Sequence, residues 1–349
     1  MLYYIIPFLI WLTICIRKAL NGPQKFRFLD YIFALPLILL VVLRGEVGTD
    51  TVNYVASVQD VMWWGSQSQT GDEFSYILLM RFLAMFTSDP RIVVAAVSLL
   101  AAILFFAALY MWEDGQCIMS LVFVPLCFFS FTMNTLRIGI AFPLAAMSIL
   151  QLEKKRFALF YILALVSISF QMTAVLLLPM LLLARRGAKM SLKGTLYGLL
   201  LAAPVLYLTY YTVRDRIAIK LLEYFIDSAY SHESMSGTAP LLLSFVCGII
   251  AIWFSKKQHR YLGLGFILIQ AAFYELTAFS YAGLRLQTMA LFAQLLALSY
   301  CAKRPINRVQ LAMALLICCL ALSGTVRNFS ASDGEPSAFT PYHFIWESR

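Results

Sequence analysis

Four arginines in this sequence lie at the ends of long apolar runs, where a guanidinium group can act on an anion. They are Arg44, Arg137, Arg285 and Arg327. A guanidinium binds phosphate or carboxylate through two parallel N–H bonds and keeps its charge when it is partly desolvated. We therefore predict that these arginines converge on one anionic group. The alternative for each of them is that it only reaches towards lipid headgroups from a helix end.

Two carboxylates are candidates for a general base beside such an anion site. Asp50 follows Arg44 in the segment LRGEVGTDTVNY, which is unusually polar for this sequence. Glu275 lies inside an apolar run, where an ionisable group is costly and is a functional candidate by default. We take Asp50 as the first candidate and Glu275 as the second. For Glu275 the structural alternative is an internal pair with an arginine such as Arg285.

The elements that position these residues are predicted to be helices in a membrane. The chain is 61% apolar and only 13% charged, with a mean hydropathy of +0.80, which is far outside the range of soluble proteins. Only helices and closed barrels satisfy every backbone group in hydrocarbon, and the long continuous runs do not fit the short alternating segments of a barrel. We predict an all-α integral membrane bundle that forms a single domain over residues 1–349.

Apolar runs close to the roughly 20 residues that cross a bilayer predict about twelve transmembrane helices. The runs are residues 2–16, 28–43, 92–112, 117–133, 138–152, 157–170, 173–184, 194–211, 240–254, 261–281, 286–301 and 309–326. A range of eleven to thirteen is open because residues 157–184 form either one long helix or a hairpin bent around residues 171–173.

The orientation follows from the basic residues, which concentrate in the cytoplasmic loops of membrane proteins. Five short loops placed on the cytoplasmic side hold seventeen of the 27 lysines and arginines. Both termini then face outwards, together with the longest polar segments, which are residues 44–91, 212–239 and 327–349. Residues 74–87 are predicted to be interfacial or re-entrant, because a further span would reverse every later loop. Arg81 and Arg91 are given no role in the anion site.

The outer segment after Arg44 has a local pattern of its own. Gly45 and Gly48 allow the backbone to turn sharply, and neighbouring N–H groups there could face an anion. With Asp50 as N-cap, residues 51–64 are predicted to form an amphipathic helix along the membrane surface. The alternative is a capped connector without a part in chemistry.

The sequence lacks the motifs of several other classes of function. It has no P-loop, no glycine-rich dinucleotide motif and no clustered histidine and cysteine ligands, and its seven cysteines have no C-x-x-C spacing. We expect no cofactor, no metal ion and no nucleic-acid partner.

Four short motifs, in order along nearly the whole chain, resemble those of the EpsG branch of bacterial Wzy-type polysaccharide polymerases. RGEVGTDTVNY is similar to the family's R-x-x-x-G-T-D-T-x-x-Y segment, and MNTLRIGIAF resembles its N-x-x-R-Q-x-I-A helix. SFQMTAVLLLP resembles an H-x-[ST]-A-x-x-x-x-P pattern, and TPYHF resembles the Pro-Tyr ending of many members. The sequence departs from the pattern at Ile138, where the family has glutamine, and at Gln171, where it has histidine.

The resemblance implies further site residues. Thr49, Thr51 and Tyr54 of the first motif and Asn134 of the second would bind substrate or pyrophosphate together with the arginines. Gln171 would orient a phosphate or a sugar hydroxyl, and its alternative is an ordinary hydrogen bond between helices. No histidine base can be transferred to either departing position.

The resemblance also implies a C-type glycosyltransferase fold in the bacterial inner membrane, with an active site that faces the periplasm. Such polymerases move a growing glycan from undecaprenyl pyrophosphate onto another lipid-linked repeat unit, and the expected product is O-antigen or a related surface polysaccharide. A chain-length regulator and a flippase of the same pathway are the expected partners. The alternative functions are a flippase or transporter of lipid-linked oligosaccharides and an O-antigen ligase.

Overall fold

A computed structural model describes most of the chain. The described residues are 1–21, 26–64, 73–112, 116–186, 238–254, 257–277, 282–301, 308–330 and 337–347. Every regular element within these ranges is helical, as the sequence predicts. They divide into two compact units, one made of Met1–Ala174 with Ala302–Arg349 and the other of Val175–Cys301.

The first unit contains nine of the helices. They are α1 (Leu2–Asn21), α2 (Leu35–Val42, entered through a 3₁₀ turn at Phe28–Ala34), α3 (Thr51–Trp64), α4 (Phe74–Ala84), α5 (Pro90–Met111), α6 (Gln116–Phe123), α7 (Leu136–Glu153), α8 (Phe157–Phe170) and, after the second unit, a helix at Arg308–Phe329 that is numbered α13. The second unit contains α9 (Ala174–Arg186, of which Ala174 is assigned to the first unit), α10 (Thr238–Phe254), α11 (Lys257–Thr277) and α12 (Ala282–Cys301).

Four of the described helices are long and apolar enough to cross a membrane. They are Leu2–Leu20, Pro90–Met111, Leu136–Glu153 and Arg308–Arg327. Several other apolar helices that fall on predicted spans are shorter, among them Met119–Asn134 and Phe157–Phe170. The predicted span 194–211 and residues 212–237 of the predicted outer loop 212–239 lie outside the described residues. The membrane-type composition of the helices is therefore confirmed, and the number of twelve spans stays a prediction.

Helix bounds decide one alternative that the sequence left open. Residues 157–184 form two helices rather than one, because Gln171 has an extended backbone (φ −153°, ψ 110°) that ends α8. Helix α4 has 11 residues, or about 16 Å of axis. This length is shorter than the roughly 30 Å of hydrocarbon, and the interfacial or re-entrant placement of residues 74–87 stays a prediction.

Helix α3 has the predicted bounds, but its apolar face is covered by protein. Tyr54, Val58 and Val61 are buried in a core that also contains Met80 of α4 and Val93 of α5. The apolar face of the helix therefore contacts protein instead of the membrane surface. The backbone carbonyl of Asp50 accepts the N–H of Tyr54 at 3.0 Å, which places Asp50 immediately before the first turn.

Helix α6 continues into wide π-helical turns, Val124–Phe128 and Ser130–Asn134, before α7 begins. Such turns are rare and occur often at functional sites. Helix α7 packs tightly here, because a methyl group on Gly139 would collide with the carbonyl of Phe131. The junction leaves the carbonyls of Thr132 and Met133 at a helix end, where they lack partners from a continuing helix.

The end of the chain is tied to the segment after α2. The N–H of Gly45 donates to His343 (2.8 Å), and the N–H of Ile345 donates to Leu43 (2.9 Å). The N–H of Gly48 donates to Ala338 (2.8 Å). Arg44 and Phe344 form the antiparallel bridge between these bonds. We call residues 337–347 the tail strap. Its backbone holds the Arg44 segment in place.

Candidate functional site

Arg44 lies at the centre of the candidate site and is almost completely buried, with 4% of its surface exposed. Its Nη1 donates to the carbonyls of Val41 (2.8 Å) and Thr132 (2.7 Å), and its Nη2 donates to Met133 (3.2 Å). These carbonyls belong to the last turn of α2 and to the π-helical turn before α7. All three carbonyls lie at C-terminal ends of helical segments, where the partial charge is negative and stabilises a buried cation. Arg44 therefore joins α2 to the start of α7.

One edge of the Arg44 guanidinium is not used by these three hydrogen bonds. The three bonds use both hydrogens of Nη1 and one of Nη2, while Nε is buried and has no hydrogen-bond partner among the described residues. The Nε–H and the second Nη2–H form the side-on fork that binds carboxylate or phosphate through two bonds. Desolvation by burial lowers the pKa of Arg44 to about 10. The group is therefore still protonated at neutral pH.

A cleft opens beside Arg44, and a second arginine lines it. The cleft is formed by Arg44, Gly45, Glu46, Thr51, Val55, Arg91, Val94 and Ala95. Arg91 stands in the first turn of α5, where its N–H is held by the N-cap Asp89 at 2.9 Å. Its Nη2 lies 4.0 Å from the carboxylate of Glu46. Arg91 is given no role in the sequence analysis, although its place in the first turn of a long helix was a signal that could have found it.

The segments RGEVGTDTVNY and MNTLRIGIAF contact each other at Tyr54 and Gly48. The hydroxyl of Tyr54 donates to the carbonyl of Asn134 at 3.0 Å and accepts the N–H of Leu136 at 3.1 Å. Gly48 has a φ of +113°, which favours glycine, and a methyl group there would lie 2.9 Å from both Asn134 Oδ1 and Thr51 Oγ1. Thr51 itself donates to the carbonyl of Val47 at 2.7 Å.

Asn134 Oδ1 is a second unsatisfied atom in this part of the unit. It is buried and has no hydrogen-bond partner among the described residues. A buried polar atom without a partner is costly, and a fold can tolerate one where a ligand supplies the missing bond. The site thus offers a buried donor on Arg44 and a buried acceptor on Asn134. A ligand with a phosphate group could accept from Arg44, and a hydroxyl group of the same ligand could donate to Asn134.

The predicted anion-binding role of the glycine N–H groups is wrong for Gly45 and Gly48. Both groups donate to carbonyls of the tail strap. The sharp turn itself is confirmed by the positive φ of Gly48. The polar groups that remain in this segment for a ligand are therefore side chains rather than these two amides.

Arg137 is held by an acidic residue that the sequence did not single out. Its Nη1 donates to the carboxylate of Glu73 at 2.5 Å, and both side chains are mostly buried. The guanidinium carbon also lies 6.0 Å from the centre of the Tyr76 ring. Glu73 is the residue before α4, so this pair joins α4 to the first turn of α7.

The other predicted site residues of the first unit lie at its helix ends. Asp50 is half-buried and Thr49 is exposed, immediately before α3. Gln171 is buried at the end of α8, and Arg327 is exposed in the last turn of α13. None of these four lines the cleft beside Arg44. Their roles in the site stay predictions.

Glu275 and Arg285 belong to the second unit. Glu275 is exposed near the end of α11, and Arg285 is half-buried in the first turn of α12. Within the described ranges, no group of three or more histidine, cysteine, aspartate or glutamate residues is placed to hold a metal ion.

The comparisons with known proteins identify one family. The model of the EpsG family matches residues 27–344, which is most of the chain and includes all the predicted site residues. No curated protein and no solved structure matches the chain.

Proposed function

We propose, from the premise that the chain belongs to the EpsG family of Wzy-type polysaccharide polymerases, that it joins oligosaccharide repeat units carried on undecaprenyl pyrophosphate. The reaction would take place at the periplasmic face of the bacterial inner membrane, and the product would be O-antigen or a related surface polysaccharide. A flippase and a chain-length regulator of the same pathway would be its partners.

The buried edge of Arg44 is the observation that carries this proposal. Transfer of a glycan from a pyrophosphate breaks the bond between the anomeric carbon and a pyrophosphate oxygen, and negative charge grows on that oxygen. A fixed, desolvated guanidinium stabilises such a charge more strongly than water-exposed groups do. Arg44 offers two parallel N–H groups for this purpose, and Arg91 adds a second positive charge in the same cleft.

The acceptor hydroxyl forms the new bond to the anomeric carbon and must lose its proton. Asp50 remains the proposed base, since it lies one residue from Thr51 of the cleft. Its position before α3 also fixes the backbone, because its carbonyl accepts the N–H of Tyr54. Glu275 is the alternative base, and Arg285 and Arg327 remain proposed ligands of the anion.

The residues around Arg44 would then position substrate. Asn134 and Thr51 flank Gly48, and Tyr54 fixes the backbone of Asn134. Arg137, which is paired with Glu73, is also proposed to bind a negatively charged group. Thr49 and Gln171 are proposed to contact sugar hydroxyls.

The glycan profile of a strain without this gene tests the proposal. A polymerase defect leaves single repeat units and no ladder of longer chains. Purified full-length protein that is given a synthetic undecaprenyl pyrophosphate-linked repeat unit should produce a ladder of longer chains in vitro. An unglycosylated acceptor in the deletion strain would instead indicate a flippase or a ligase and would contradict the proposal.

A further inference from the structure

A second concave feature of the first unit lies next to the Arg44 segment. It is an apolar groove between α1 and α2, lined among others by Leu2 and Ile6 of α1, by Leu39 of α2 and Leu43 directly after it, and by Phe344 of the tail strap. The groove contains about 850 Å³ of empty space, counting its open side. It shares no residue with the cleft beside Arg44.

The walls of the groove suit a hydrocarbon chain. Eight of the nine lining side chains carry no polar group, and the exception is the hydroxyl of Tyr3. Ile6 is 54% exposed and Leu39 is 45% exposed, so the groove opens at the surface of the unit. Its lining runs along α2 from Pro36 to Leu43, which is about 10 Å of helix axis. The groove therefore gives an elongated apolar ligand about 10 Å of helix surface to lie along.

Phe344 of the tail strap lines the groove near its Leu43 end, because the N–H of the neighbouring Ile345 donates to the carbonyl of Leu43. Phe344 stacks on Trp346, with ring centres 4.6 Å apart, and meets Tyr3 of α1 edge-on at 5.9 Å. This end is also where the chain leaves α2 towards Arg44. The apolar groove therefore ends where the buried cation begins.

Two pairs of neighbouring residues connect the lining of the groove with the lining of the cleft. Leu43 lines the groove, and the next residue, Arg44, lines the cleft. Phe344 and Arg44 are directly opposed, with the bonds of Gly45 and Ile345 on either side of them. In this type of antiparallel pair the two side chains lie on the same face of the ribbon and close together.

We propose that this groove binds the first isoprenoid units of the lipid carrier whose pyrophosphate lies against Arg44. The assignment rests on the proposed function, which supplies a donor with an anionic head and a polyisoprenoid tail. Continuity supports it, because a lipid with its head at Arg44 finds an apolar groove beginning at the neighbouring Leu43. Charge supports it too, since the groove ends beside a buried guanidinium.

Photo-crosslinking of the full-length protein tests the occupant directly. The photoreactive residue p-benzoylphenylalanine replaces Leu39 in the groove or Ile103 of α5, which is similarly exposed (51%) and lies outside it. In phosphatidylcholine nanodiscs, radiolabelled undecaprenyl pyrophosphate should crosslink several-fold more to the Leu39 variant. Unlabelled undecaprenyl pyrophosphate should compete and phosphatidylglycerol should not. Equal labelling at both positions, or equal competition by phosphatidylglycerol, would overturn the assignment.

Filling the groove gives a second readout. Leu39→Trp should raise the KM for the undecaprenyl-linked donor about tenfold, the loss expected when two methylene-sized groups leave an apolar site. The KM for a donor with a short alkyl chain that does not reach into the groove should not change, and Ile103→Trp should change neither. Equal KM values for Leu39→Trp and wild-type protein would contradict the groove assignment. If no donor is polymerised, the proposed function fails, while the crosslinking result still decides what the groove holds.

Discussion

The hydroxyl of Tyr54 lies 3.0 Å from the carbonyl oxygen of Asn134, which is 80 positions away in the sequence. The same hydroxyl accepts the N–H of Leu136, the first residue of α7. One phenol thus joins the segment that carries Arg44 to the π-helical turn whose carbonyls hold Arg44. The two motifs that resemble the family most closely are parts of one structure.

Tyr54→Phe should weaken this junction. It leaves a buried carbonyl and a buried N–H without their partner, which costs about 1–3 kcal/mol. We expect a lower unfolding temperature in a thermal-shift assay and a shortened polymer ladder. Tyr161→Phe, on an exposed face of α8, is the matched control and should change neither. An unchanged unfolding temperature for Tyr54→Phe would show that the junction does not depend on this hydroxyl.

The substitution Asp50→Asn distinguishes a role of Asp50 as general base from a role as helix cap. Asparagine caps helices about as well as aspartate does, so the folded protein should be produced at normal levels. Asparagine cannot take a proton from the acceptor, so we expect the polymer to be lost. The measurement is the ladder in a complemented deletion strain, with protein levels determined by immunoblot. A full ladder would move the role of base to Glu275.

Glu73 should matter through its bond to Arg137. Glu73→Ala removes the acceptor from a mostly buried guanidinium, and the loss of a charged hydrogen bond costs about 1.5–3 kcal/mol. Glu73→Gln keeps an acceptor of similar shape. We expect the alanine variant to be less thermally stable than the glutamine variant and to make less polymer. Equal behaviour of the two variants would mean that this bond does not position Arg137.

The tail strap should be required for activity although it contains none of the predicted site residues. Ending the chain after residue 336 removes the partners of the Gly45 and Gly48 N–H groups and the bridge to Arg44. We expect membrane insertion to continue and the polymer to be lost. A chain that ends after Glu347 keeps these bonds and should retain the ladder. A full ladder from the shorter chain would show that the strap does not hold the Arg44 segment.

Local features of the fold could be predicted from the sequence. Helix α3 begins after Asp50 and ends at Trp64 as its apolar periodicity indicates. Tyr54 and Val58 lie on its apolar face, which packs against protein and not along the membrane surface as predicted. The turn at Gly48 followed from its residue type. These features depend on neighbours within one or two helical turns, which a single sequence displays.

Contacts between distant segments could not be predicted in this way. The hydroxyl of Tyr342 donates to the carbonyl of Leu40 at 2.6 Å across 302 positions, and no periodicity records such a pair. The same holds for the bond between Glu73 and Arg137. The placement of Arg91 beside Arg44 also depends on how α5 packs against α3. Residue type identified the arginines as candidates, and packing decided which of them share a cleft.

Binding of the lipid carrier to Arg44→Lys tests the central claim most directly. Lysine keeps the charge but lacks the side-on fork. In nanodiscs with full-length protein, we expect Arg44→Lys to bind undecaprenyl pyrophosphate about tenfold to a hundredfold more weakly than wild type does, as the loss of about 1.5–3 kcal/mol predicts. Undecaprenol, which has no anionic group, should bind both proteins equally, which excludes a collapsed site. Arg81→Lys on α4, outside the cleft, should match wild type with both lipids. Undiminished binding of undecaprenyl pyrophosphate by Arg44→Lys would contradict an anion site at Arg44.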